Sequence, residues 1–109
     1  MLSLSHPAIL KPDPAGSGFT VNFPDLPEAL TSGEDLEDAL AEAADCLGEA
    51  LSGRIVRREM IPPPSAPRKN HYLISVPLYL APKLALYMVL REQRVFLLPA
   101  NQAQPAEAP

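Results

Sequence analysis

The sequence predicts an α+β fold: a small antiparallel sheet in the order β-β-β-α-β, one covering helix, and an apolar helix near the carboxyl end. Three observations predict it. The stretch "GFTVNFP" (residues 18–24) alternates Phe19, Val21 and Phe23 with Thr20 and Asn22, the period of a strand with one buried face. Across residues 36–51 apolar side chains recur every three and four positions, the period of a helix lying on a core. Prolines at 7, 12, 24 and 27, with the turn segment "DPAGSG", divide the first half into short pieces of strand length.

Taken in order, "HPAILKP" (residues 6–12) is short, apolar and bounded by Pro7 and Pro12, which suits an edge strand because proline donates no ladder hydrogen bond. After the second strand, Pro24 and Pro27 force a corner, and "EALTS" (residues 28–32) is long enough for a third. Asp35 can cap the helix that follows, Glu37 and Asp38 sit where its dipole favours negative charge, and Gly53 offers a stop. Leu36, Ala39, Leu40, Ala43, Cys46 and Leu47 belong to its apolar face, leaving an acidic wall toward solvent. Residues 54–70 contain three consecutive prolines and five bases and read as a semi-rigid basic spacer. "HYLISVP" (residues 71–77) is a further strand that joins this sheet or pairs with a neighbouring chain. Pro82 suits the first turn of a second helix reaching about Gln93, whose apolar run 84–90 leaves no polar face. In so short a chain this favours an oligomer interface, with Leu84, Leu86, Tyr87, Val89 and Leu90 as candidate contacts. The chain thus divides at 1–53, 54–70 and 71–94, with 95–109 expected to be a tail, since its last eleven residues are only Pro, Ala, Gln, Asn and Glu and bury too little apolar surface to offset their ordering.

Charge is distributed unevenly. Residues 1–53 hold ten acids and one base, a net −9, whereas 54–109 hold eight bases and three acids, a net +5; together they give the chain's −4. Two surfaces with different electrostatic tasks are expected. The first ten residues lack a basic segment and a long apolar run, so they do not read as a secretory signal. The run 84–90 is far short of the roughly 20 residues that cross a bilayer, so no membrane role is expected and the cytoplasm is the expected setting. The single cysteine, Cys46, lies in the helix's apolar stripe and reads as core.

No catalytic constellation is visible. His6 and His71 lack partners at metal-binding spacing, and no glycine-rich phosphate loop or serine nucleophile motif occurs. Metal-assisted phosphodiester cleavage needs acids converging from different elements, and only Asp13 and Asp25 come from loops beside strands. No cofactor is expected. Arg57, Arg58, Arg68, Lys69, Arg91 and Arg94 are candidate nucleic-acid contacts, but Pro99 follows the second helix too soon for a helix-turn-helix.

The run "HPAILKPDPAGSGFTVNFPDLPEALTSGEDLEDALAEAADCLGEAL", followed by "IPPPS", resembles the HicB antitoxin family of bacterial toxin-antitoxin pairs. The similarity rests on the proline-containing first strand, the glycine turn, the F-P-D-L-P corner, T-x-G before the helix and "LEDAL" opening it. "VPLYLAPKLALYMVLREQ" is also similar to members that end in a helix-turn-helix. The resemblance implies a partial ribonuclease H-like fold without the nuclease's full set of acids, and a toxin-binding role for residues 1–53. It implies a HicA-like partner, a small basic ribonuclease toxin, together with self-association and often repression of the antitoxin's own operon. The chain departs from the family where Pro27-Glu28-Ala29 replaces P-G-C, and where "RVFLLPANQAQPAEAP" replaces a recognition helix. The second departure argues against operator binding. The expected function is therefore neutralisation of a toxin by binding, not enzymatic catalysis. Glu37, Asp38, Glu42, Asp45 and Glu49 are the candidate contact wall, and DNA-binding autorepression through the basic half is the alternative.

Overall fold

A computed structural model of the chain describes residues 4–92. It contains β1 (Ser5–Pro12), β2 (Phe19–Phe23), β3 (Leu26–Gly33), α1 (Leu36–Val56), β4 (His71–Ser75) and α2 (Ala81–Glu92). The strands form one antiparallel sheet in the order β3-β2-β1-β4. The α+β architecture expected from the sequence is the one observed. β4 takes the first of its two predicted options and pairs with β1, aligning His6 with Ile74 and Ala8 with Tyr72, so β1, expected at an edge because of its prolines, lies inside the sheet with β2 on its other side.

Local chemistry explains the turns. Between β1 and β2 the Asp13 carboxylate accepts from the Ala15 amide at 2.9 Å, while the Asp13 amide donates to the Gly18 carbonyl at 2.8 Å. An aspartate that folds the chain back on itself in this way nucleates a turn. Between β2 and β3 only Pro24 and Asp25 intervene, so β3 starts earlier and runs longer than the predicted 28–32. Pro24 fixes φ near about −65°, which excludes the positive-φ turns that two-residue hairpins prefer. A register shift at Asn22/Phe23 takes up the mismatch.

The core lies between one sheet face and the two helices. Ala8, Val21, Phe23 and Ile74 from the sheet meet Ala39, Ala43, Leu47 and Leu51 of α1, with Leu84 and Tyr87 of α2. Gly33 at the end of β3 lies against the first turn of α1: a β-carbon there would come within 2.4 Å of the Ala39 backbone. This close approach gives the T-x-G stretch a steric purpose.

The helix does not stop at Gly53. It continues to Val56, and the left-handed residue closing it is Arg58, with φ 60°. The Glu59 amide donates to the Arg54 carbonyl at 2.8 Å and the Arg58 amide to Ile55 at 3.0 Å, the paired bonds of a Schellman end. An arginine occupies the position that glycine usually takes.

Residues 59–68 carry neither helix nor strand, as expected of part of the semi-rigid spacer 54–70, yet they are docked on the fold. The Tyr87 hydroxyl donates to the Glu59 carbonyl at 2.6 Å, Arg54 Nη1 to Met60 at 3.0 Å, and His6 Nε2 to Pro62 at 3.3 Å. Ile61 is buried, and the Asp25 carboxylate accepts from both the amide and the hydroxyl of Ser65. The prolines make this strap stiff, and these contacts dock it.

Candidate functional site

Asp38, Glu42, Asp45 and Glu49 follow one another at helical spacing and share a face of α1, whereas Glu37 is displaced by about 100°. Asp38 is only half exposed and takes part in the cap. Its amide donates to Asp35 Oδ1 at 2.8 Å and its Oδ2 accepts from the Glu34 amide at 2.8 Å. Glu37, Glu42, Asp45 and Glu49 are exposed and, among the described residues, form no ion pair. The face is therefore a stripe of uncompensated negative charge.

The acid and base neighbours of this stripe are neutralised within the chain. Arg54 grips Glu28 through two bonds, of 2.7 and 3.0 Å, and donation from the guanidinium holds the Glu28 carboxyl below its usual range. Arg57 pairs with Glu59 at 2.8 Å. Glu28, Leu30, Cys46, Glu49, Ala50 and Arg57 surround a groove of about 320 Å³ between β3 and α1. Cys46 is half-buried, packed against the margin of the core while lining this groove; burial, then the charges of Glu49, Glu28 and Glu42, push its thiol upward.

The candidate oligomerisation residues divide into two groups. Leu84 and Tyr87 are 0% and 2% exposed and are used within the chain's own core, so neither is available to a partner in this fold. Leu86 is 60% exposed, and Val89 and Leu90 are half-buried. An unbroken apolar run has no phase, so periodicity could not separate the inward face from the outward one.

The basic candidates are also dispersed. Arg91 donates to the Arg58 carbonyl at 2.9 Å and stacks 5.8 Å from the Tyr87 ring centroid, and Arg57 is held by Glu59. Arg58, Arg68 and Lys69 are exposed, Arg68 and Lys69 on the approach to β4. Arg94 and the predicted tail lie outside the described residues.

Asp13 and Asp25 sit at opposite ends of the β1–β2 hairpin, with Asp25 spent on Ser65, so they do not converge. Among the described residues no group of three or more histidine, cysteine or acidic side chains is placed to hold a metal. No helix of the described residues is long and apolar enough to cross a membrane. Sequence reasoning missed Leu30, an apolar side chain left 67% exposed on β3, and the Glu28–Arg54 pair, which joins residues far apart in the chain.

Comparison with known proteins places these features in context. Residues 5–85 match the model of a family described as HicB-like antitoxin of bacterial toxin-antitoxin system. The chain is similar to Antitoxin HicB of Escherichia coli (strain K12), with 40% identity over 83 residues covering 76% of this chain and 59% of that protein. It is also similar to Antitoxin HicB 2 of Photorhabdus laumondii, with 40% identity over 78 residues covering 72% and 55%. The chain thus spans little more than half the length of these relatives. A chain in a solved toxin-antitoxin complex from Streptococcus pneumoniae superposes with a TM-score of 0.53 and 29% identity, over 57% of this chain and 44% of that one.

Proposed function

Because this chain belongs to the family of HicB-like antitoxins of bacterial toxin-antitoxin systems, we propose that it acts as an antitoxin, binding a small basic HicA-type toxin that cleaves messenger RNA and masking that toxin's RNA site. The observation that carries the reading is the exposed acidic stripe of Glu42, Asp45 and Glu49 on α1, with Glu37 beside it. Among the described residues these carboxylates have no ion-pair partner, so their field is free to accelerate encounter with a basic partner. Asp38 contributes charge but is held by the cap. The proposed action is by binding, in the cytoplasm, without a cofactor. Exposed Leu86, with Val89 and Leu90, offers a surface for self-association. DNA-binding autorepression is the second reading: Arg57 and Arg91 are occupied within the chain, whereas Arg58, Arg68 and Lys69 are exposed.

The test is recovery of the intact chain from its host, mass spectrometry of what accompanies it, and an RNA-cleavage assay of that companion. A stoichiometric small basic protein whose cleavage activity disappears on adding one equivalent of the chain is expected. Reversing Glu42, Asp45 and Glu49 to lysine should then slow association roughly tenfold or more at low salt and flatten its salt dependence. Association that ignores both the reversal and the salt would remove the stripe from the interface.

A further inference from the structure

We propose that the free edge of β3 is the docking line for the basic partner, which adds a strand of its own beside residues 29–33. This deepens the antitoxin reading and rests on it, by naming the surface and the mode of contact.

β3 ends the strand order, so its backbone groups on the side away from β2 have no strand partner among the described residues. Proteins normally blunt such an edge with a charge, a proline, a bulge or brevity, because an unprotected edge recruits another strand. The other edge, β4, is five residues long and is followed by Pro77. β3 is eight residues long, and its Pro27, Glu28 and neighbouring register shift protect only the first half. From Ala29 to Gly33 it carries neither charge nor proline.

The surroundings of that stretch suit an incoming strand. Leu30 lines the groove against α1 and also a depression of about 500 Å³ on the other side, shared with Lys11, Thr20 and Asn22. Side chains of an added strand alternate between the two sheet faces, so successive residues would enter one depression and then the other around the Leu30 ridge.

Charge selects the occupant. Glu49 lines the groove, and Glu42 lies two helical turns earlier on the same flank, close enough for both to act on the Cys46 thiol. Arg57 and Glu28, on the same groove, are cancelled by Glu59 and Arg54. Pairing β3 with β3 of a second copy would place two acidic stripes on one face of a continuous sheet, where they repel. A strand bearing lysine or arginine on the side facing α1 is attracted instead.

The test uses the full chain and the basic protein that co-purifies with it. Leu30→Lys adds a charge at an exposed position, so thermal unfolding should be unchanged while affinity for that protein falls at least 100-fold. Hydrogen exchange on the unsubstituted complex should show the amides of residues 29–33 slowed at least tenfold, a measurement that needs no variant. Binding within threefold of the original by Leu30→Lys, with unslowed 29–33 amides in the complex, overturns the edge as the docking line while the toxin stays neutralised and the antitoxin reading stands. Protection of those amides in the free chain, lost on dilution to monomer, assigns the edge to a second copy and overturns the proposal. Absence of any basic partner removes both readings together.

Discussion

At the level of single residues, Arg58 shows how a local conformation departs from local propensity. Its φ of 60° is the left-handed region, which costs a side-chain-bearing residue about 1–2 kcal/mol that glycine escapes. Arg58→Gly should therefore raise stability by roughly 0.5–1 kcal/mol, the gain being trimmed by glycine's freedom in the unfolded chain. A urea midpoint that stays put or falls would show that the side chain contributes more than its exposure suggests. The bond to Ile55 and the Arg91 contact use only the backbone of residue 58, and the bond to Arg54 comes from the Glu59 amide, so the substitution leaves all three in place. None of this was legible in the sequence, where Gly53 offered the obvious stop and lies instead inside the helix.

Individual elements were legible wherever apolar and polar residues alternate. β2 announces itself through Phe19, Val21 and Phe23, and α1 through its spacing and Asp35, whose side chain accepts from the Asp38 amide as a cap should. α2 was legible as a helix but not in its orientation. The junction between β3 and α1 depends on Gly33, whose missing side chain lets the strand end press on the Ala39 backbone. Gly33→Ala forces backbone rather than a flexible side-chain tip to move, and should cost about 1–3 kcal/mol. Thermal unfolding measures this directly, and a loss below about 0.3 kcal/mol would mean the two elements separate freely.

For the whole molecule, the strap between α1 and β4 closes the fold, and one of its fastenings titrates. His6 is 1% exposed, its Nε2 proton is donated to Pro62, and its Nδ1 has no partner among the described residues. Burial, only partly offset by that bond and by Asp25, lowers its pKa below 6.5. Below pH 6.5 the unfolded chain therefore takes up a proton that the folded one resists, so stability is steady above this pH and declines beneath it down to the folded pKa. Asp25 acts in a separate window. Burial opposes its charge, but donation from Ser65 outweighs this and lowers its pKa, so its contribution is lost as pH falls from 3.8 through the folded value. The unfolding temperature should fall between pH 7 and pH 5, and His6→Gln, which retains a donor for Pro62, should flatten that slope. An identical slope in the variant would place the titrating group elsewhere. The strap's docking could not be read from its composition, because its partners His6 and Asp25 stand some 56 and 40 residues away. The sheet order carries a consequence for the chain while it is being made. β1 receives β2 at once on one side but waits for β4 on the other, so at 5–20 residues per second about 2–8 s separate synthesis of Gly33 from that of His71. During that interval the ribosome-bound chain offers an open β1 edge, and any chaperone or neighbouring nascent chain that can reach it competes with the chain's own last strand.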